Sequence, residues 1–505
     1  MSITPRPGLH PADLTVRALP EKDLKANWSG YLPFDGYLTP PQIAKAYNMP
    51  ASTGAGVKVA IIAPLGGGFL QTDLAKDFTD LKANGYFPSS QAVPVIKKVF
   101  LDGTTGSFAN DPYQANMENT LDIYCVATMA PSADITIYFC YDFGGGITRA
   151  ISDGCDIITI SYAYSVEPGD PTIDSNYWGE DFESIFAVAE AAGVAICVAS
   201  GDSGAGANRA GTAALGVGYP SSSPSVISVG GTYLNLWFPS DNPTVYGAKV
   251  DERFYEGDDN SDPSFGASWG GGGGVSNVFA LPDFQDGLSY LPVPAVPNGD
   301  DGYSAVKLTK RGIPDISAPM SGYVMYYSGN PVGVGGTSAA APVMAGILAR
   351  YQSLTGKRRS SRQYNKLFYS NSLNSAFYDR NSGIWTEGVT QVAGVPTGYQ
   401  AATGWDPLIG LGSPRCDVIY NIMRSKLLYP KLNNGIRPWG NDNGNTDPVY
   451  WLKFYPDGMA DYFKLNSLPT GQLWPRPLYT SAKLLHDGSG QIIVGSFGQR
   501  VTTND

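Results

Sequence analysis

Histidine is almost missing from this chain. Only His10 and His486 occur in 505 residues, near the two ends and away from any predicted strand-to-loop junction of the core. A hydrolase built on an imidazole base is therefore not expected. Cysteine is scarce too: Cys125, Cys140, Cys155, Cys197 and Cys416 are odd in number, and no two stand in C-x-x-C spacing. Buried free thiols fit this set better than a disulfide framework or a zinc site, which leans away from a disulfide-stapled secreted protein. No run of roughly 18 uncharged apolar residues exists, so no transmembrane helix is expected. The first residues lack the basic-then-apolar order of a signal peptide. Positive charge is short, with 34 Lys and Arg against 45 Asp and Glu and a net charge of −11, which argues against nucleic acid as a partner. Gly270 to Gly274 are all glycine, yet no Lys-Ser/Thr pair follows, so a closely packed or substrate-lining loop is expected rather than a phosphate cradle.

What remains is a globular pattern, 43% hydrophobic and long enough for one large domain and a smaller one. Apolar runs at 57–63, 133–139, 156–161, 193–199 and 225–230 read as buried parallel strands. Helical patterns at 182–192 and 338–354 fall between or after them. The fold class expected is therefore α/β, a doubly wound and mainly parallel sheet with flanking helices.

Chemistry concentrates in three places. Ser338 lies in Gly335-Gly336-Thr337-Ser338-Ala339-Ala340-Ala341-Pro342, a small-residue loop entering an apolar helix. Glycines there allow close backbone approach, and Pro342 is expected in the first turn, where an N–H has no helical partner. The free amides and the dipole of that helix end favour a developing oxyanion. A serine hydroxyl still needs a base, and without histidine the search turns to carboxylates.

Glu118 and Asp122 stand four residues apart, so on a helix their Cβ atoms are about 5–6 Å apart on one face. Met117, Leu121 and Val126 mark an adjoining apolar stripe, which would put both acids at the edge of the core. Two like charges this close, partly buried, hold a shared proton under acid conditions. Such a pair can serve as base where imidazole would be protonated. Alone, an E-x-x-x-D spacing reads as a solvated helix face. Asp202, in Ser200-Gly201-Asp202-Ser203-Gly204, follows the apolar run 193–198 and would face the crevice beyond the strand ends. It can donate to an oxyanion only while protonated; alone, it reads as a turn residue bonding its own backbone.

Taken together, these elements closely resemble the sedolisin family of serine-carboxyl peptidases, acid-acting relatives of subtilisin. Further landmarks are Leu38 to Tyr47, Leu65-Gly66-Gly67-Gly68, Val229-Gly230-Gly231-Thr232, Gly273-Gly274-Val275-Ser276 and Pro314-Asp315-Ile316-Ser317-Ala318. The resemblance implies a subtilisin-like fold over residues 37–427; outside it lie an N-terminal extension 1–36 and an extension 428–505, whose Asp487-Gly488 turn beside Gln491-Ile492-Ile493-Val494 and whose aromatics suggest a small β-rich module. It implies Ser338 as nucleophile, Glu118 as general base, Asp122 as its supporting acid and Asp202 as oxyanion donor. It also implies one structural Ca2+ held by Asp379, Arg380, Ala402, Gly404 and Asp406, a set of carboxylates and carbonyls suited to a hard cation. Two departures concern the base. Where family members often carry an acid and a tryptophan that extend the catalytic hydrogen-bond chain, this chain has Ala63-Pro64-Leu65 and Ser161-Tyr162-Ala163. Tyr162 can still donate a hydrogen bond; Pro64 cannot replace a carboxylate.

The function expected is acid-acting peptide hydrolysis through an acyl-enzyme, by an endopeptidase or a tripeptidyl-peptidase on a protein or peptide substrate. The alternative is a structural or assembly protein that uses the same fold as a scaffold. In either case residues 428–505, rich in aromatics, could dock a partner. By resemblance the setting is extracellular or an acidic compartment.

Overall fold

In the computed structural model the described residues are 10–11, 38–65, 67–101, 105–111, 115–164, 167–170, 181–206, 215–237, 248–254, 270–293, 304–370, 376–379, 384–385, 398–428 and six strands between 438 and 502. The chain divides into two compact units, Met1–Cys416 and Asp417–Asp505.

The first unit is built on eight strands, β1 Lys58–Pro64, β2 Lys97–Phe100, β3 Asp134–Cys140, β4 Ile157–Ile160, β5 Ala195–Ala199, β6 Ile227–Trp237, β7 Ala248–Phe254 and β8 Ile316–Pro319. Their order is β8-β6-β5-β4-β1-β3-β2, all parallel, with β7 added antiparallel on β6. Central strands are apolar throughout because both faces are covered. From β1 the chain runs out to β2, returns through β3 and crosses to β4, so β1 sits at the switch point where crevices form beyond strand ends. The five apolar runs expected as strands are all there. The addition is β2, a short edge strand whose Lys97 and Lys98 are exposed and give no apolar signal.

The helices of this unit are α1 Pro40–Ala46, α2 Gln71–Ala83, α3 Asn116–Met129, α4 Phe143–Ser152, α5 Glu183–Ala191, α6 Thr337–Thr355 and α7 Ser361–Tyr369. Within α6, Gly346 lets α3 approach: a Cβ there would lie 2.6 Å from the Cβ of Met129. That approach sets the two site helices side by side. All five cysteines are buried and free, as expected.

The second unit is a meander of six antiparallel strands, β9 Pro438–Trp439, β10 Val449–Phe454, β11 Met459–Leu465, β12 Ala482–His486, β13 Gln491–Val494 and β14 Gln499–Thr502. These strands fall within residues 428–505, while the second unit itself begins earlier, at Asp417. Among the described residues, no helix is long and apolar enough to cross a membrane.

Candidate active site

Ser338 is the second residue of α6 and fully buried. Gly336 precedes the helix at φ 125°, a conformation in which a Cβ is strained, and a Cβ there would also lie 2.7 Å from Asp202 Oδ2. Pro342 sits inside the helix rather than in its first turn, because α6 begins at Thr337. Lacking an N–H, Pro342 cannot bond the carbonyl four residues earlier, which is that of Ser338. The Ser161 hydroxyl lies 3.2 Å from that oxygen.

Ser161 follows β4 directly and is fully buried. Its hydroxyl donates to Asp122 Oδ1 at 2.6 Å, and its own carbonyl accepts from Ser338 Oγ at 3.4 Å. The sequence singled out Ser161 only as a neighbour of Tyr162. The structure makes it the link between the carboxylates and the start of α6.

Glu118 and Asp122 lie deeper than expected. Both are fully buried, whereas Met117, assigned to the apolar stripe, is only half-buried. Helix α3 is enclosed nearly all round, so the acids belong to the core rather than to its edge. Its first amides are held from outside by Asp111, which accepts from Ala115 N and Asn116 N at 2.8 Å each. Burial drives the Glu118 carboxyl well above the usual carboxylate range; Asp122 and Asp202 raise it further, while the Ser338 and Ser161 hydroxyls pull it back. Burial likewise raises Asp122, against the Ser161 bond. Neither Glu118 oxygen makes a hydrogen bond of normal geometry, and Asp122 Oδ2 makes none. This arrangement holds a proton and can exchange it with a hydroxyl.

Asp202 follows β5 and is buried. Its Oδ1 accepts from Thr337 N and Thr337 Oγ1, both at 2.7 Å, which fixes the carboxyl against the start of α6. The Asp202 loop is backed by the polyglycine segment: Gly270 N donates to Asp202 O at 3.1 Å and Gly272 N to Gly201 O at 2.6 Å. A Cβ at Gly272 would collide with the backbone of Ser200, so close packing explains that glycine.

Two expectations need correction. Tyr162 does not extend the hydrogen-bond chain: its hydroxyl is buried without a partner, and its ring stands edge-on to Phe143 with centroids 5.4 Å apart. Nor does His10 stand away from the core's junctions. His10–Pro11 forms a short strand antiparallel to Tyr162–Ala163, with His10 opposite Ala163.

Of the residues expected at a calcium site, Asp379, Ala402, Gly404 and Asp406 converge, while Arg380 lies outside the described residues. Asp406 is fully buried; Oδ1 accepts from Leu408 N and Ile409 N, and Oδ2 from Ala402 N at 3.0 Å. Asp379 Oδ2 accepts from Gly404 N at 2.7 Å. Burial is the main cause that lifts the Asp406 pKa to about 7, and Asp379 adds to it. A hard cation beside these carboxylates would relieve both effects, so the residues fit one.

With this geometry in place, the chain can be set beside known proteins. The subtilase family matches residues 113–384. Kumamolisin from Bacillus sp. (strain MN-32) is 32% identical over 394 residues, covering 74% of this chain and 62% of its own length. Sedolisin from Pseudomonas sp. (strain 101) is 31% identical over 395 residues, covering 74% and 58%. The chain thus spans about three-fifths of each of these relatives. Among solved structures, Pseudomonas sedolisin (serine-carboxyl proteinase) complexed with two molecules of pseudo-iodotyrostatin superposes with a TM-score of 0.58 at 26% identity, covering 78% of this chain and 99% of that one. With the match spanning Glu118, Asp122, Asp202 and Ser338 alike, the chain belongs to the subtilase family, in its sedolisin branch.

Proposed function

We propose that this chain hydrolyses peptide bonds in acid, through an acyl-enzyme on Ser338. The observation that carries the reading is the fully buried Glu118–Asp122 pair beside a serine at a helix N-terminus. Ser338 Oγ attacks the scissile carbonyl carbon while its proton passes to Glu118, with Asp122 sharing the pair's remaining proton. The oxyanion is met by the Ser338 amide at the positive end of α6 and by a protonated Asp202. Since Thr337 occupies Oδ1 of Asp202, Oδ2 is the oxygen that carries the donated proton. Glu118 then returns its proton to the departing amine nitrogen as the C–N bond breaks. Water, deprotonated by the same carboxylate, attacks the ester carbon, and Ser338 leaves with the proton restored.

A calcium ion held by Asp379, Asp406 and neighbouring carbonyls would brace the loop 402–410, away from the proton path. The test is cleavage of an acid-denatured protein across a pH series by the unaltered chain and by Ser338→Ala. Activity confined to acid pH and absent from the variant supports the reading. Activity peaking above neutrality, or surviving in Ser338→Ala, overturns it. Product sizes from the same digest separate an endopeptidase from a tripeptidyl-peptidase.

A further inference from the structure

We propose that Ser161 is a positioning residue for the carboxylate pair: its hydroxyl fixes one oxygen of Asp122 and ties that acid to the first turn of α6. The proposal rests on the serine-carboxyl reading of this site and extends it to a residue that reading does not use. Three contacts place Ser161 between acid and nucleophile. Its Oγ donates to Asp122 Oδ1 at 2.6 Å, lies 3.2 Å from the Ser338 carbonyl, and belongs to a residue whose own carbonyl accepts from Ser338 Oγ at 3.4 Å. The Ser338 carbonyl is open to this approach because Pro342 supplies no N–H.

Nothing else described does this work. Pro64 offers no carboxylate, and the Tyr162 hydroxyl bonds nothing. With Oδ1 of Asp122 engaged as an acceptor, Oδ2 is left as the oxygen on which the pair's proton resides. Ser161 thereby orients Asp122 toward its proton-sharing role. Among the described residues, the titratable groups that interact with the pair are Asp202 beyond β5, Tyr162 beyond β4 and Cys125 on α3 itself. Asp202 is an acid, and ionising Tyr162 or Cys125 would add only negative charge. None of these described groups supplies a positive charge to take over from the lost hydroxyl. Removing it therefore leaves the ionised pair less stabilised, and proton loss needs a higher pH.

The experiment compares the unaltered full chain with Ser161→Ala and Ser161→Thr, each first checked for a cooperative melt. For Ser161→Ala, kcat should fall roughly tenfold or more with KM nearly unchanged. The acid limb should move up by about one pH unit, the order of one charge-assisted hydrogen bond. Ser161→Thr, which keeps the hydroxyl, should recover most of both. A second readout needs no turnover: the infrared band of protonated carboxyls, assigned with Asp122→Asn, should titrate at higher pH in Ser161→Ala. A Ser161→Ala titration matching the unaltered chain overturns the proposal whatever the activity. If the unaltered chain cleaves nothing at any pH while the titration still moves, the peptidase reading falls and the positioning role stands.

Discussion

At the scale of single residues, a carboxylate can replace imidazole as base to a serine only where its pKa has been raised toward the working pH. Glu118 meets that condition by being fully buried next to Asp122 and Asp202. Glu118→Gln keeps the volume and removes the carboxylate proposed as base, so turnover should drop by several powers of ten with the fold retained. Near-normal turnover in that variant would pass the base role to Asp122. Asp202 allows a finer test. Its Oδ1 is committed to Thr337, so in Asp202→Asn the amide oxygen can keep those donors while the NH2 faces the oxyanion position. Asp202→Ala should cost about 10²–10³ in turnover, the range for one lost oxyanion donor. Asp202→Asn should cost less and fall more gently toward neutral pH, because an amide does not ionise. Equal losses with identical pH profiles would make Asp202 structural.

At the scale of elements, the site depends on how closely α3 and α6 run, and Gly346 against Met129 sets that spacing. Gly346→Leu must push the helices apart or displace Met129, an overpacking cost of about 1–3 kcal/mol. The expected result is a lower melting temperature together with a kcat loss larger than the KM change, since Glu118 moves away from Ser338. A variant with a lower melting point and unaltered kcat would show that the spacing serves stability alone. The five central strands were legible because strands covered on both faces must be apolar runs. Helix α3 was harder to place: Glu118, Asn119, Thr120 and Asp122 look like a solvated face, and only tertiary packing encloses them. Ser161 was nearly invisible, because a lone serine after a strand has no periodicity and its role exists only once α3 and α6 flank it. Gly346 left no trace either, since one small residue in a small-residue helix is unremarkable until its neighbour is known.

At the scale of the whole molecule, buried acids bias the fold toward low pH. Glu118, Asp122, Asp77, Glu167 and Glu183 are all raised chiefly by burial, and Asp406 is raised to about 7. Between the usual carboxylate range of about 4 and these raised values, the folded chain holds more protons than the unfolded one. Stability must therefore fall as pH rises through that window, and a net charge of −11 at neutrality adds self-repulsion in the same direction. The melting temperature without added metal should be highest in mild acid and decline steadily toward pH 7. Calcium should oppose the decline, because a cation at Asp379 and Asp406 stabilises the ionised form of a carboxyl that burial disfavours. Its stabilising effect should be largest near pH 7 and vanish where Asp406 is protonated, and Asp406→Asn should abolish it at every pH. Melting curves with calcium or a chelator, across the pH series, separate the two contributions. A metal-free melting temperature that stays flat or rises toward neutrality would contradict the proton linkage. A calcium effect independent of pH, or one surviving Asp406→Asn, would place the ion elsewhere.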